Sequence, residues 1–403
     1  MNVLVIPSWY PTRDDPLSGS FFREQALLLS EDVSVRVLFD IERYITFKRY
    51  LAETAADLMR RRQTLRRCDE LLLTPPEARG VYCVNTYRFS EQKHWRLKQR
   101  TYERVLRQLI GEGWRPDVIH AHSAFFNGIV AHDLGRAFGI PTIITEHQVF
   151  LPHRVSSFMR EGIFRALEGA DRVIAVSRHQ SRCILGAAVQ CHPLVIGNLV
   201  DETVYQLPSE PHSNPDTFNI VFVTDPSYIK DNATFFRALE EIVKRGHTKI
   251  RAVLAVRLFH AGQHGAVSAM AQQHGVANYC EVREGIPREE MPRVYAQSDL
   301  LVSTSMAETF GAAIREAMAC GKPVVSTANG GVDDILSQIN GIKVDVGDYL
   351  AVANAVIQIM AGEVMFDHEQ IRQSVIAECG REIFRQKMLA VYREVAVEDR
   401  GSG

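Results

Sequence analysis

The stretch Ser303-Thr-Ser-Met-Ala-Glu308-Thr-Phe310-Gly311-Ala-Ala-Ile-Arg-Glu316-Ala-Met-Ala-Cys-Gly321-Lys-Pro323-Val-Val-Ser-Thr-Ala-Asn-Gly330-Gly331 decides how the chain folds. An apolar run ending at about Ser303 reads as a buried strand and residues 304–311 as a loop. Ala312 to about Cys320 reads as a helix that Gly321 and Pro323 stop. A second apolar run, Pro323–Ser326, follows at once. Strand, loop, helix and strand in such close succession form the repeating unit of a parallel sheet covered by helices.

The loop and helix start also carry chemistry. Free N–H groups near Gly311, Ala312 and Ala313 can point at a diphosphate, and the helix dipole favours negative charge there. Glu308, just outside the helix, is placed to accept hydrogen bonds from hydroxyls beyond the phosphates, and Glu316, about one turn inside, lies where a ribose fits. Two carboxylates flanking an anion site suit a sugar nucleotide. By spacing alone, the same acids also fit a helix cap and a surface charge.

Outward from this stretch the alternation continues through most of the chain. Strands are read at Val3–Pro7, Val33–Phe39, Val81–Thr86, Asp117–His122, Thr142–Thr145, Arg172–Val176 and Leu194–Ile196. Residues 206–217, rich in Pro, Ser and Asn, read as an interdomain linker. A second sheet opens at Phe218–Val223 and continues at Ala252–Val256, Tyr279–Val282, Leu300–Ser303, Pro323–Ser326 and Gly341–Val344. The expectation is an α/β protein of two doubly wound, Rossmann-like domains facing across a cleft. The first spans 1–205 and the second 218–380, with a C-terminal helix at about 381–398 packing back on the first. Residues 41–79, basic and Leu-rich, read as a helical insertion without a strand.

Composition bounds the rest. The 403 residues are 46% hydrophobic and 23% charged, which excludes a disordered chain or a small disulfide-stapled fold. Seven scattered cysteines, with no C-x-x-C pair, read as reduced thiols. No run approaches the roughly 18 apolar residues of a membrane span, and Met1–Tyr10 reads as a strand rather than a secretion signal, so a cytoplasmic location is expected. Residues 1–200 hold 27 basic against 21 acidic side chains, and the remainder 19 against 27. Within the first part, residues 43–107 carry 16 basic and 7 acidic groups, including Arg60-Arg61-Arg62 and Arg66-Arg67. That face suits either peripheral contact with an anionic membrane or simple solvation.

With the pattern E-x-F-G...EAMA-x-G-x-P-V-V...G-G in place, the sequence resembles the retaining GT-B glycosyltransferases, in particular family four, whose two glutamates are separated by seven residues. Pro7-Ser-Trp-Tyr-Pro11 with Gly19, Asp117-Val-Ile-His120-Ala-His122 and Val173-Ile-Ala-Val-Ser177 extend the likeness. The resemblance implies that Glu308 binds donor-sugar hydroxyls, that the Phe310 and Gly311 backbone, with Ala312 and Ala313, contacts sugar and diphosphate, and that Glu316 holds the ribose. It further implies that Lys230 pairs with the diphosphate and that Gly19 lets the first loop approach the donor. The partners implied are a nucleoside diphosphate sugar and a glycan or lipid-linked acceptor of surface-polysaccharide synthesis (O-antigen, capsule or exopolysaccharide). Retention of configuration is implied too, with no cofactor, no metal and no nucleic acid.

His120 and His122 flank Ala121 at a strand end and are read as facing opposite sides, with His122 in the position of the family's active-site histidine and His120 packed. An H-x-H pair can also ligate zinc, with Glu146, His147 and His153 as further ligands, but opposite-facing rings argue against it. Glu146-His147, after another strand, is read as lining the acceptor side, with turn hydrogen bonding the alternative. One departure stands out: Thr224-Asp225 occupy the places where the family has Gly-Arg before Lys230. Rival readings are an inactive GT-B protein acting as a sugar-nucleotide-binding scaffold, or a nucleotide-sugar epimerase or hydrolase on the same fold.

Overall fold

A computed structural model describes residues 1–12, 15, 17–60, 70–72, 76–208, 216–258 and 261–398. The chain divides into two compact units, one of residues 1–176, 181–196 and 385–403, the other of residues 177–180 and 197–384.

Among the described residues the first unit has eight strands: β1 (Asn2–Pro7), β2 (Ser34–Tyr44), β3 (Glu70–Leu72), β4 (Glu77–Asn85), β5 (Val118–His122), β6 (Thr142–Glu146), β7 (Arg172–Ala175) and β8 (Leu194–Val195). Their order is β3-β4-β2-β1-β5-β6-β7-β8, parallel throughout except for the edge strand β3. The central strands read as near-continuous apolar runs because helices cover both faces, and β1, β5 and β6 are buried along almost their whole length. Leu4, Leu38, Val81, Leu106, Ile119, Ile144 and Ile163 meet in one core.

The described residues of the second unit form six parallel strands: β9 (Phe218–Thr224), β10 (Ile250–Val256), β11 (Cys280–Glu284), β12 (Leu300–Ser303), β13 (Val324–Thr327) and β14 (Gly341–Val344). The order β11-β10-β9-β12-β13-β14 is the Rossmann succession, reversing direction between β9 and β12. Phe222 stacks on Phe235 at 3.9 Å inside a core that Leu254, Val302, Val325 and Val356 complete.

Two expectations are corrected. The insertion at 41–79 does contain strand: β2 runs on to Tyr44 and β3 pairs antiparallel with β4, around a helix at Phe47–Arg60. Arg61, Arg62, Arg66 and Arg67 lie outside the described residues, as do residues 209–215 of the expected linker. The boundary falls at Ile196/Gly197, ahead of the Pro-rich segment, because residues 197–207 are held by the second unit. Val200 N–H donates to the Cys379 carbonyl, Arg372 donates to the Glu202 carbonyl, and Arg381 pairs with Asp201. The terminal helix changes unit at Phe384/Arg385, after which Arg385 pairs with Asp32 and Arg172 with Glu394. Among the described residues no helix is long and apolar enough to cross a membrane, and six cysteines are free thiols.

Candidate functional site

Where strand order reverses in a doubly wound sheet, the loops leaving the two central strands diverge and open a crevice. In the second unit those loops follow β9 and β12. They are tied together: Met306 N–H donates to the Ile229 carbonyl, and Thr304 Oγ1 donates to the Asp231 carbonyl. Their functional side chains meet as well, with Lys230 Nζ donating to Glu308 Oε1 at 2.7 Å and Ser305 Oγ donating to the same oxygen at 2.9 Å. Burial works against the Lys230 charge, but Glu308 and then Asp225 outweigh it and hold the ammonium above its usual pKa, while Arg257 pushes the other way.

The helix Ala312–Ala319 begins immediately after this loop. Gly311 is its N-cap at φ 71°, and no side chain caps it, so the first-turn N–H groups keep their capacity for an anion. A Cβ on Gly311 would come within 2.6 Å of Val332 Cγ1, so both the backbone and the packing require glycine. Beneath the loop, Arg315 donates to the carbonyls of Phe310 and Gly331 and lies 4.0 Å over the Phe310 ring. The Phe310 ring is thereby buried, which leaves its backbone as the part that can contact a ligand. Ala312 is exposed and Ala313 half-buried, at the open end of the helix.

Glu316 is buried but not idle: Arg288 Nη1 donates to its Oε1 at 2.8 Å and the Tyr295 hydroxyl to its Oε2 at 2.9 Å. Spacing gave no hint of Arg288, which comes from the turn after β11 and carries a partly exposed positive group to the far side of the helix start.

The Thr224-Asp225 departure also has a structural account. Asp225 turns its carboxylate onto the Ser227 N–H at 2.7 Å, while Thr224 Oγ1 donates to Asn232 Oδ1. Both side chains brace the turn that carries Lys230, and the acid sits close enough to support the lysine's charge.

In the first unit the reversal lies between β1 and β5. Ser8, leaving β1, has its hydroxyl 3.0 Å from the His122 carbonyl and 2.9 Å from that of Phe125. Gly19 caps the helix Ser20–Leu29 at φ 64°, and a Cβ there would collide with the Trp9 carbonyl oxygen, so glycine is demanded by the loop's own packing.

The reading of His120 and His122 as opposite-facing is wrong. Positions i and i+2 of a strand share a face, and the two rings lie 4.3 Å apart. What separates them is their partners. His120 is hydrogen-bonded at both nitrogens, to the Tyr392 hydroxyl and to Thr145 Oγ1, each at 2.8 Å, and burial lowers its pKa to about 3. His122 Nδ1 meets His147 Nε2 at 2.9 Å, and the ring packs 4.7 Å from that of Phe22. Burial first, then the neighbouring His120 and His147, hold its pKa well below the usual value, so it is neutral at physiological pH. The shared face removes the argument raised against zinc, yet both His120 nitrogens are taken, and no group of three metal-ligating side chains forms among the described residues.

Of the two readings of Glu146, cleft lining and turn hydrogen bonding, its bonds fit the second. It is fully buried and accepts from the N–H groups of Ala124, His147 and Gln148 and from Ser123 Oγ, at 2.7 to 3.2 Å. Burial outweighs these bonds and raises its pKa to about 7. It is a clasp between the loops after β5 and β6. His153 begins no such cluster and sits in a short turn at Pro152–Arg154.

Two features escaped the sequence reading. Ser123 and Phe126, neither of them glycine, both have positive φ, at 74° and 64°. Such backbone costs on the order of 1–3 kcal/mol per residue and clusters at functional sites. Phe126 is also 49% exposed.

Comparison with known proteins agrees with this architecture. The family model described as Glycosyl transferases group 1 matches residues 217–362, and that described as Glycosyltransferase Family 4 matches residues 48–204. The two models together support a group 1, family four glycosyltransferase, and the fold is GT-B. Among solved structures, sucrose-phosphate synthase from Thermosynechococcus elongatus superimposes with a TM-score of 0.75 at 17% identity, over 99% of this chain and 100% of that one. Anabaena HepE in complex with UDP-glucose gives 0.68 at 17% identity, over 98% and 100%. Among curated relatives, the D-inositol 3-phosphate glycosyltransferase of Segniliparus rotundus is 25% identical over 60% of this chain and 58% of its own length. N-acetyl-alpha-D-glucosaminyl L-malate synthase of Bacillus anthracis is 23% identical over 70% of this chain and 76% of its own length. The chain spans about half the length of the phosphatidylinositol N-acetylglucosaminyltransferase relatives it matches in Arabidopsis thaliana and Homo sapiens.

Proposed function

We propose that the protein transfers a sugar from a nucleoside diphosphate sugar to a hydroxyl acceptor, the second unit binding the donor and the first the acceptor. The observation that carries this reading is the meeting of Lys230 and Glu308 beside the uncapped helix start at Gly311, on the strand-order reversal of the second unit. A cation, a carboxylate and a row of N–H donors on adjoining loops support the reading, and the HepE complex with UDP-glucose is that of a protein with the same fold.

Each group has a task. The N–H groups of Gly311, Ala312 and Ala313 and the Lys230 ammonium hold the diphosphate and meet the charge that develops as it departs, an electrostatic contribution that is usually the largest in such sites. Glu308 accepts from the sugar hydroxyls, and Glu316, oriented by Arg288 and Tyr295, accepts from the ribose. His122, neutral and steadied by His147, supplies a hydrogen bond to the sugar or acceptor rather than a charge. The bond between the anomeric carbon and the diphosphate breaks, the acceptor oxygen bonds to that carbon, and the acceptor proton passes to the leaving phosphate. Retention without a metal, and an acceptor in surface-glycan assembly, complete the proposal. The basic first unit suits an acceptor carried at an anionic membrane.

The test is a thermal-shift screen of nucleoside diphosphate sugars, followed by donor consumption. A donor that binds the folded chain raises its melting temperature, and Glu308→Ala should abolish turnover while the fold persists. Wild-type turnover by that variant, or no shift with any nucleotide sugar, would refute the assignment.

A further inference from the structure

The loop after β5 is built at a cost and presents a single aromatic ring. Across Ser123–Gly128 the backbone turns through positive φ at Ser123 and again at Phe126, where ψ is -84°. A bulky aromatic residue does not adopt such a conformation unless its surroundings impose it. Here they do. Glu146 takes the Ala124 N–H and Ser123 Oγ, and Gln148 Nε2 donates to Ser123 Oγ at 3.0 Å. Ser8 reaches the Phe125 carbonyl, and Asn127 Nδ2 donates to the Pro7 carbonyl at 2.7 Å and to Asp40 at 2.8 Å. The neighbouring Phe125 is buried edge-on against Phe150. Of the two adjacent phenylalanines, one anchors the loop and the other is turned outward, half-exposed, with Lys98 5.7 Å from its centroid.

Lys98 is not a loose surface charge. It is buried and paired with Asp40 at 2.9 Å, in a network that includes Tyr102 and Asn127. A fixed cation therefore lies beside an outward-facing ring, on the loop that begins next to His122, at the strand-order reversal of the first unit. A flat aromatic ring suits the C–H face of a cyclic polyol, and an acyclic hydroxy acid offers it no such face.

We propose that Phe126 is the stacking platform for the acceptor, which is a ring-bearing polyol such as a pyranose or a cyclitol. Glu146 is the positioning residue that clasps the strained loop and holds the platform in place. The inference rests on the acceptor assignment of the first unit.

The experiment follows UDP-glucose consumption in the presence of cyclic polyols (glucose, N-acetylglucosamine, myo-inositol and their monophosphates) and of acyclic ones (malate and glycerol 3-phosphate). At least one cyclic compound should accelerate consumption. For that compound Phe126→Ala should raise KM at least tenfold with kcat changed less than threefold, and Phe126→Trp should restore KM to within threefold. Phe126→Gly should match Phe126→Ala in KM while its melting temperature stays equal to or above that of the wild type, because glycine relieves the backbone. Glu146→Gln should raise the same KM, and the rise should not add to that of Phe126→Ala in the double variant. Acceleration by acyclic compounds alone, by none of the panel, an unchanged KM in Phe126→Ala, or a loss that tryptophan does not rescue would overturn the proposal. UDP affinity separates the two claims: a chain that binds UDP but fails these tests keeps its donor site, whereas one that binds no nucleoside diphosphate loses the functional reading itself.

Discussion

Neutralising Glu308 should strengthen the binding of a bare nucleoside diphosphate relative to that of its sugar conjugate. Lys230 Nζ lies 2.7 Å from Glu308 Oε1, with the two side chains 25% and 19% exposed. A diphosphate entering beside them must draw the ammonium away and settle next to a carboxylate of like charge. In a medium of effective dielectric about 20 a contact pair is worth roughly 4 kcal/mol, and solvent access lowers that to about 1–2 kcal/mol here. Glu308→Gln keeps the shape and removes the charge, so UDP should bind about 5- to 30-fold tighter. UDP-glucose gains the same amount but loses charge-assisted hydrogen bonds to sugar hydroxyls, of about 1.5–3 kcal/mol. The ratio of the two dissociation constants should therefore rise at least about tenfold. Isothermal titration of both ligands gives the answer, and the UDP gain should shrink as salt is raised. Unchanged or weaker UDP binding by Glu308→Gln would show that the pair does not compete with the phosphates.

Other outcomes follow from the same geometry. His120→Ala should cost about 2–4 kcal/mol, because it removes two buried hydrogen bonds and leaves Tyr392 and Thr145 without their partner; denaturant unfolding reads this. His122→Ala should instead lose most transfer with a smaller change in stability, and the reverse pattern would exchange the roles of the two histidines. Glu146 titrates at about 7 in the folded chain against 4.5 unfolded, so the native state binds more protons between those values and stability falls as pH rises through that window, by about 3 kcal/mol. Hydrogen exchange in β5 and β6 should follow that slope, and Glu146→Gln should flatten it. Gly311→Ala should destabilise the second unit by about 1–3 kcal/mol and lower UDP affinity at least tenfold, since φ 71° and the Val332 contact both oppose a Cβ.

The arrangement around Gly311 was legible because its signals are local. Gly311, the apolar helix behind it and the two acids lie within one short segment, where strand, cap and helix patterns read directly from neighbouring residues. Lys230 was placed by resemblance, and only the pairing of β9 with β12 brings it to Glu308. The cluster in the first unit was harder. The face shared by His120 and His122 follows from strand geometry alone and was misread, whereas their separate fates depend on Tyr392 and His147, distant in sequence. Glu146 reads as a polar residue at a strand end, and its conversion into a clasp needs Ala124 and Ser123 to be folded over it. The unit boundary was missed for the same reason: residues 197–207 carry no composition signal for their attachment to the segment 372–381.

The account depends on the helix start at Gly311 gripping a pyrophosphate between two acids. A crystal structure with UDP-glucose bound tests that most directly. It should show the diphosphate oxygens within hydrogen-bond distance of the Gly311–Ala313 N–H groups and of Lys230 Nζ, the glucose hydroxyls on Glu308 and the ribose on Glu316. Phosphates bound elsewhere on the second unit, or both carboxylates turned to solvent, would contradict it.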